Sequence, residues 1–332
     1  MGTLPTIICV TPVKNEAWIL ERFLQCASLW ADHIIVSDQM SDDGSDEIAK
    51  RFEKVRLIKN NYQGEFNELQ MRSILIDEAR KIEAPRIIVS LDADEALNAD
   101  GMETKDWKKI LQSKPGSAFK IQLINVMPDG NSAWKASYLP RIFIDDGTPY
   151  SSDKIHTNNI PLSINSEIEY LNEIKLLHYQ FADWARMQSK HRWYMCWEVI
   201  NRPNRSYANI YRQYHHMYAV PFNKRLRLKP NWLQKYFDSG IDMKKINVQQ
   251  RYRWDDEVIN YFRKYGTEKF KGIMIWDRNW GNEFSDPRSA NYKNLHRYLK
   301  LTQPLYGILP ITLLLNVMDK LVEKVLLRNG RS

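Results

Sequence analysis

Asp92, Asp94 and Glu95 put three carboxylates within the four residues Asp92-Ala93-Asp94-Glu95, directly after the apolar residues Ile87, Ile88, Val89 and Leu91. Carboxylates this close repel one another and raise each other's pKa, so the cluster makes chemical sense when a divalent cation neutralises it. Oxygen ligands favour a hard ion, Mg²⁺ or Mn²⁺, which keeps coordination positions for phosphate oxygens. A plainer reading also fits these residues. They could be a solvated strand end, with Asp94 or Asn98 capping the helix that residues 100–111 predict.

The element that must position the cluster is a strand. An apolar run bounded by polar residues reads as a buried parallel strand, whose carboxylates stand where it leaves the sheet. Before it, residues 6–10 are β-rich and close on Thr11-Pro12. Trp18, Ile19, Phe23, Cys26 and Ala27 then recur at helical spacing, with Lys14 or Asn15 opening the helix. Residues 33–37 read as a second strand ending in Asp38, followed by the polar loop Ser41-Asp42-Asp43-Gly44-Ser45 and a helix through Ile48, Ala49 and Phe52. Residues 55–58 give a third strand, and residues 66–82 a helix carrying Leu69, Arg72, Ile76 and Ala79. This alternation predicts an α/β fold with a doubly wound, mostly parallel sheet and a ligand at the carboxyl ends of the strands. Asn15, Glu16, Asp38, Asp43 and the acidic tetrad all fall on that edge. No G-x-G-x-x-G and no P-loop follows the first strand, so a metal clamp at Asp92 and Asp94 would handle a diphosphate instead.

Thr11-Pro12-Val13-Lys14-Asn15-Glu16, Ile34-Ile35-Val36-Ser37-Asp38 with its polar loop, Arg72 in its helix, and Leu91-Asp92-Ala93-Asp94-Glu95 occur in this order. Together they resemble the family 2 glycosyltransferases of GT-A fold, most of all the bacterial members that extend lipopolysaccharide or capsule sugars. The resemblance implies that Thr11, Pro12, Asn15 and Glu16 line a nucleotide pocket, that Asp38 contacts the base or ribose, and that Arg72 lies near the uracil or phosphates. It implies that Asp94 binds the metal (Mn or Mg) directly, with Asp92 on the ribose or the metal's water shell. His178, closing Ile174-Lys175-Leu176-Leu177, is implied as a further ligand, although a histidine at a strand end also reads as structural. Related enzymes tend to carry His-Glu where this chain has His156-Thr157. The general base is therefore open between Asp153 and Asp183, with His156 next, and loop aspartates also serve as caps and turn formers.

Past the tetrad the alternation stops. Residues 117–126 and 137–144 read as a hairpin around Met127-Pro128-Asp129-Gly130-Asn131, which fits the acceptor side of a GT-A fold. Arg141 matches a recurrent family arginine and reads equally as a structural ion-pair partner. Residues 1–180 are expected to form the nucleotide-sugar core, 181–300 a helical acceptor-side extension, and 301–332 an amphipathic tail. Charge divides unevenly: residues 1–150 carry 18 Lys and Arg against 23 Asp and Glu, a net of −5, and the remainder 30 against 17, a net of +13. The basic part seeks an anionic partner. In the tail, apolar residues of 305–327 interleave with charges and include Pro310, too broken for a membrane span. A helix in the interface of an anionic membrane fits, as does docking on the core or pairing in a dimer.

Three dispersed cysteines (Cys9, Cys26, Cys196) and the lack of a secretory signal in residues 1–10 point to a cytoplasmic protein, peripheral at the inner face of the membrane if the tail binds there. The combined expectation is a metal-dependent inverting glycosyltransferase that moves a sugar from a nucleoside diphosphate, UDP first, to a hydroxyl of a glycan or glycolipid. A sugar nucleotidyltransferase is the alternative within enzymes. A basic nucleic-acid-binding protein would explain the +13 part but leave the tetrad unexplained, so no nucleic acid partner is expected.

Overall fold

In the computed structural model, which describes residues 4–61, 68–150, 159–162, 167–249 and 251–327, the amino-terminal strands build one side of a mixed sheet. β1 (Thr6–Val13), β2 (His33–Asp38), β3 (Val55–Lys59) and β4 (Arg86–Ser90) run parallel in the order β3-β2-β1-β4. Between them lie the helices α1 (Leu20–Ser28), α2 (Ser45–Lys50) and α3 (Glu68–Ala79). Successive strand side chains point to opposite faces, so one strand can feed two cores. Cys9, Ile34, Val36, Ile87 and Val89 pack with Leu20, Phe23 and Leu24 of α1, whereas Ile8, Val10, Ile35 and Ile88 pack with Leu75, Ile76 and Ala79 of α3. Both faces are covered, which is why these strands are continuously apolar.

Beyond β4 come β5 (Glu95–Leu97), α4 (Lys105–Gln112), β6 (Ala118–Val126), β7 (Ser132–Ile144) and β8 (Ile168–His178). The sheet continues from β4 as β7-β6-β8-β5, with β7 antiparallel to both β4 and β6. The α/β class and the hairpin are as expected, but the tetrad differs. It leads into a strand rather than a helix, and the cap of α4 is Thr104, whose hydroxyl accepts from Trp107 N–H at 3.3 Å, not Asp94 or Asn98. Likewise α1 starts at Leu20, so neither Lys14 nor Asn15 opens it.

Further along are α5 (Trp184–Asn201), α6 (Tyr207–Tyr214), the short β9 (Arg225–Arg227) beside β7, α7 (Gln234–Asp238), α8 (Arg253–Tyr265), α9 (Ala290–Thr302) and α10 (Leu309–Leu327). The chain forms two compact units: Met1–Asp183 with Leu226–Val248, and Trp184–Arg225 with Gln249–Ser332. The stretch expected as one helical extension is thus shared. Leu226–Val248 belongs to the first unit, where Tyr236 OH donates to Leu97 O at 2.8 Å and Arg22 Nη1 to Met243 O at 2.6 Å.

The second unit has its own core of Met195, Cys196, Val258, Phe262, Phe270 and Trp276, with Phe262 and Trp276 stacked at 5.1 Å. Three of its arginines, Arg186, Arg192 and Arg212, are buried; Arg192 pairs with the buried Asp255 at 3.3 Å and Arg212 with the buried Asp319 at 2.9 Å. All three cysteines are free and buried. Among the described residues no helix is long and apolar enough to cross a membrane.

Candidate active site

The carboxyl ends of β1, β2 and β4 lie side by side because their registers align Val13 with Asp38 and Val10 with Ser90. At this edge the turns after β1 and β2 are tied together. Asn15 adopts a left-handed conformation (φ 57°) and exchanges two hydrogen bonds with Asp42: Nδ2 donates to Oδ1 at 2.7 Å, and Oδ1 accepts from Asp42 N–H at 3.0 Å. Its own N–H reaches Ser41 Oγ, while the N–H groups of Glu16 and Ala17 reach Ser45 Oγ and Asp43 Oδ2, each at 2.9 Å. Glu16 accepts from Trp18 Nε1 at 2.6 Å. Asp38 is fully buried, takes Lys59 Nζ at 3.3 Å, and accepts from the Ser41 N–H. Thr11 is buried with its hydroxyl unpaired. The expected nucleotide residues Thr11, Pro12, Asn15, Glu16 and Asp38 therefore share one edge, where Asn15, Glu16 and Asp38 also hold the two turns in place.

The next layer comes from β4, β5, α3 and β7. Arg72, buried in α3, donates to Asp92 Oδ1 at 2.7 Å, and Arg141 of β7 lies 3.8 Å from Asp92 Oδ2. Burial pushes the Asp92 carboxyl up, but Arg72 and Arg141 overcome it and hold the group below the usual carboxylate range. Arg141 makes a bidentate pair with the buried Glu95, at 3.0 and 2.7 Å, and Glu95 also accepts from the Asp92 N–H. Such a forked pair fixes the turn that carries the tetrad. Of the two sequence readings of Arg141, the structure supplies the ion pair.

Asp94 faces another way. β5 pairs antiparallel with β8 in a register that sets Glu95 against His178, and Tyr179 N–H donates to Asp94 O at 2.8 Å. His178 Nε2 then stands 3.6 Å from Asp94 Oδ2. On its other side, His178 Nδ1 lies 2.8 Å from Asn125 Oδ1, an acceptor brought alongside by the β6–β8 register. With Nδ1–H donating to Asn125 Oδ1, Nε2 faces the Asp94 carboxylate, where either a proton on the ring or a cation between the two groups answers the negative charge. Burial lowers the His178 pKa, but Asp94, Glu95 and Asp92 raise it more, so the ring attracts positive charge. This donor pair fits a divalent ion. Asp92 is turned to the arginines instead, and among the described residues no three His, Cys, Asp or Glu side chains form a grouped ligand set.

Asp153 and His156 lie outside the described residues. Asp183, immediately before α5, is buried at 4% exposure. Sequence reasoning missed Asn125 and also Arg22, whose guanidinium lies 4.0 Å over the Tyr179 ring next to the Asp94 carbonyl's partner. Both depend on long-range registers and had no local signal.

No protein-family model matches the sequence, and no curated protein sequence matches it. Among solved structures, 4-diphosphocytidyl-2C-methyl-D-erythritol synthase aligns at 14% identity and TM-score 0.36, covering 51% of this chain and 90% of that one. Glucosyl-3-phosphoglycerate synthase from Mycobacterium tuberculosis, solved with Mn²⁺, UDP and glucosyl-3-phosphoglycerate, aligns at 16% identity and TM-score 0.26, over 36% of this chain and 44% of its own. Mannosyl-3-phosphoglycerate synthase from Rubrobacter xylanophilus aligns at 17% and TM-score 0.27, over 38% and 41%. The chain thus spans less than half the length of the two glycosyl-phosphoglycerate synthases. Likeness at this level identifies neither reaction nor ligand.

Proposed function

We propose that this chain is a metal-dependent glycosyltransferase that uses a nucleoside diphosphate sugar, with UDP as the first nucleotide to test. The observation that carries the reading is the Asp94–His178 pair at the carboxyl edge of β4, with Nε2 3.6 Å from the carboxylate and Nδ1 2.8 Å from Asn125 Oδ1. Asp94 and His178 would hold Mn²⁺ or Mg²⁺, which when bound neutralises charge on the leaving diphosphate. Arg72 and Arg141 keep Asp92 ionised beside it, available to a ribose hydroxyl or a metal-bound water. The knotted turns at Asn15, Glu16 and Asp38 bound the nucleotide side. The solved neighbours include UDP-using enzymes crystallised with Mn²⁺ or Mg²⁺, which agrees with this choice of probes.

The acceptor is a hydroxyl of a glycan or glycolipid, attacked in line with inversion. Asp153 takes its proton, with Asp183 and His156 the alternatives. A base acts only in the transition state, so Asp153→Asn should lower kcat by roughly 10²- to 10⁴-fold and leave UDP binding unchanged. A dead Asp183→Asn beside a nearly wild-type Asp153→Asn would move the base.

The direct experiment is a thermal-shift and calorimetric screen of nucleotide sugars with and without Mn²⁺, followed by product analysis. Metal-dependent UDP binding and release of UDP from a UDP-sugar are expected. Full turnover in excess EDTA would overturn the metal reading, and release of pyrophosphate would assign nucleotidyl transfer.

A further inference from the structure

Helix α10 turns its acids inward and its apolar residues outward. Asp319 is 2% exposed and accepts from Arg212 Nε and Nη2 at 3.0 and 2.9 Å and from Tyr298 OH at 2.9 Å. The remaining Arg212 hydrogens go to Leu299 O, Gln303 Oε1 and Thr302 Oγ1, so all five donors of the buried guanidinium are used. Glu323 accepts from Ser206 Oγ and from the N–H groups of Tyr207 and Ala208 at the start of α6, where the helix dipole favours a carboxylate. One further constraint fixes the approach to α10: a Cβ at Gly307 would sit 1.8 Å from Ala219 O.

At 100° per residue the inward half carries Ile311, Leu315, Asp319, Val322, Glu323 and Leu326. The outward half carries Leu309, Leu313, Leu314, Val317, Leu321 and Val325, which are 57 to 77% exposed. Leu301, Leu305 and Ile308 just before it are also exposed. An ordinary surface helix has the reverse arrangement. The only charges on the outward half are Lys320 and Lys324, and both acids of the helix are engaged on the other side.

We propose that this face of α10 seats in the interface of an anionic lipid bilayer, with the leucines in the acyl boundary and the two lysines among the headgroups. The charge pattern selects this occupant. Self-pairing with a second copy would bring Lys320 and Lys324 against their own kind with no carboxylate of the outward half to answer them. Anionic headgroups answer both, and lysine stems bridge from the apolar layer to the headgroups. The net +13 of residues 151–332 adds long-range attraction of the same sign. The helix lies along the surface, since it is too charged to cross.

The test is sedimentation of the full chain with vesicles of phosphatidylcholine alone or with phosphatidylglycerol added. Binding should require phosphatidylglycerol and weaken with salt. Lys320→Ala with Lys324→Ala should weaken it by about fivefold per lysine. Leu313→Glu with Val317→Glu should abolish it while circular dichroism and thermal midpoint stay unchanged. If that variant misfolds, the lysine variant alone decides. Absence of vesicle binding, equal binding to phosphatidylcholine alone, or unchanged binding in a folded glutamate variant overturns the proposal. A dimer dispersed by the glutamate changes, without vesicle binding, reassigns the face to a second copy.

Discussion

At the residue scale, the tetrad is three different carboxylates rather than one acidic patch. Glu95 is consumed by Arg141 and Asp92 is shared between two arginines, which leaves Asp94 as the one facing His178. The acids were legible in the sequence; their division of labour was not, because it depends on Arg72 and Arg141 arriving from 20 and 49 positions away from Asp92. Asp94→Ala should remove metal-dependent UDP binding while the thermal midpoint holds, since a partly exposed carboxylate leaves no core cavity. Asn125→Leu should keep the fold but release the Nδ1 proton, weakening Mn²⁺ binding by about 10- to 100-fold, as loss of such an orienting partner typically does. Calorimetry with Mn²⁺ in each variant checks both, and wild-type Mn²⁺ affinity in Asn125→Leu would remove Asn125 from the account.

At the element scale, β1, β2 and β4 read well because they are buried on both faces, and an apolar run of that kind survives any tertiary context. β5 did not, because three residues after an acidic turn carry too little periodicity to separate a strand from a helix start. That omission hid the register that sets Glu95 against His178. The expectation that Asn15 begins α1 failed for a related reason: its side chain serves the neighbouring turn, and asparagine is among the residues that tolerate φ 57°. Asn15→Ala should cost stability twice, through the lost Asp42 bonds and through the left-handed backbone, about 1–2 kcal/mol together. Asn15→Gly should recover only the backbone share. Urea midpoints falling in the order wild type, glycine, alanine would bear this out; equal midpoints for the two variants would make the conformation irrelevant.

At the scale of the whole molecule, the positive charge of the second part of the sequence was legible but its use was not. Most of it lies at the surface, while Arg192 and Arg212 are buried in ion pairs and three histidines there are held neutral. Burial pushes His191 down to about 3, and His215 and His296 down to about 4. His296 shows the cause in its bonds: Nε2–H donates to Gly272 O at 3.0 Å and Nδ1 accepts from Arg288 Nη1 at 3.0 Å, so a second proton would have to break the arginine contact. With the folded pKa below the unfolded value of 6.5, only the unfolded chain binds protons as the pH drops from about 6.5 toward 4. The second unit should therefore be fully stable above pH 6.5 and lose stability below it. At pH 5.5 the loss from His296 alone is about 1.4 kcal/mol. Urea unfolding of the wild type and His296→Gln at pH 7.5 and 5.5, followed by tryptophan fluorescence, measures it. The glutamine variant starts less stable, because it loses the geometry of both bonds, but should fall less between the two pH values. An equal fall in both proteins would mean that His296 does not carry the acid sensitivity.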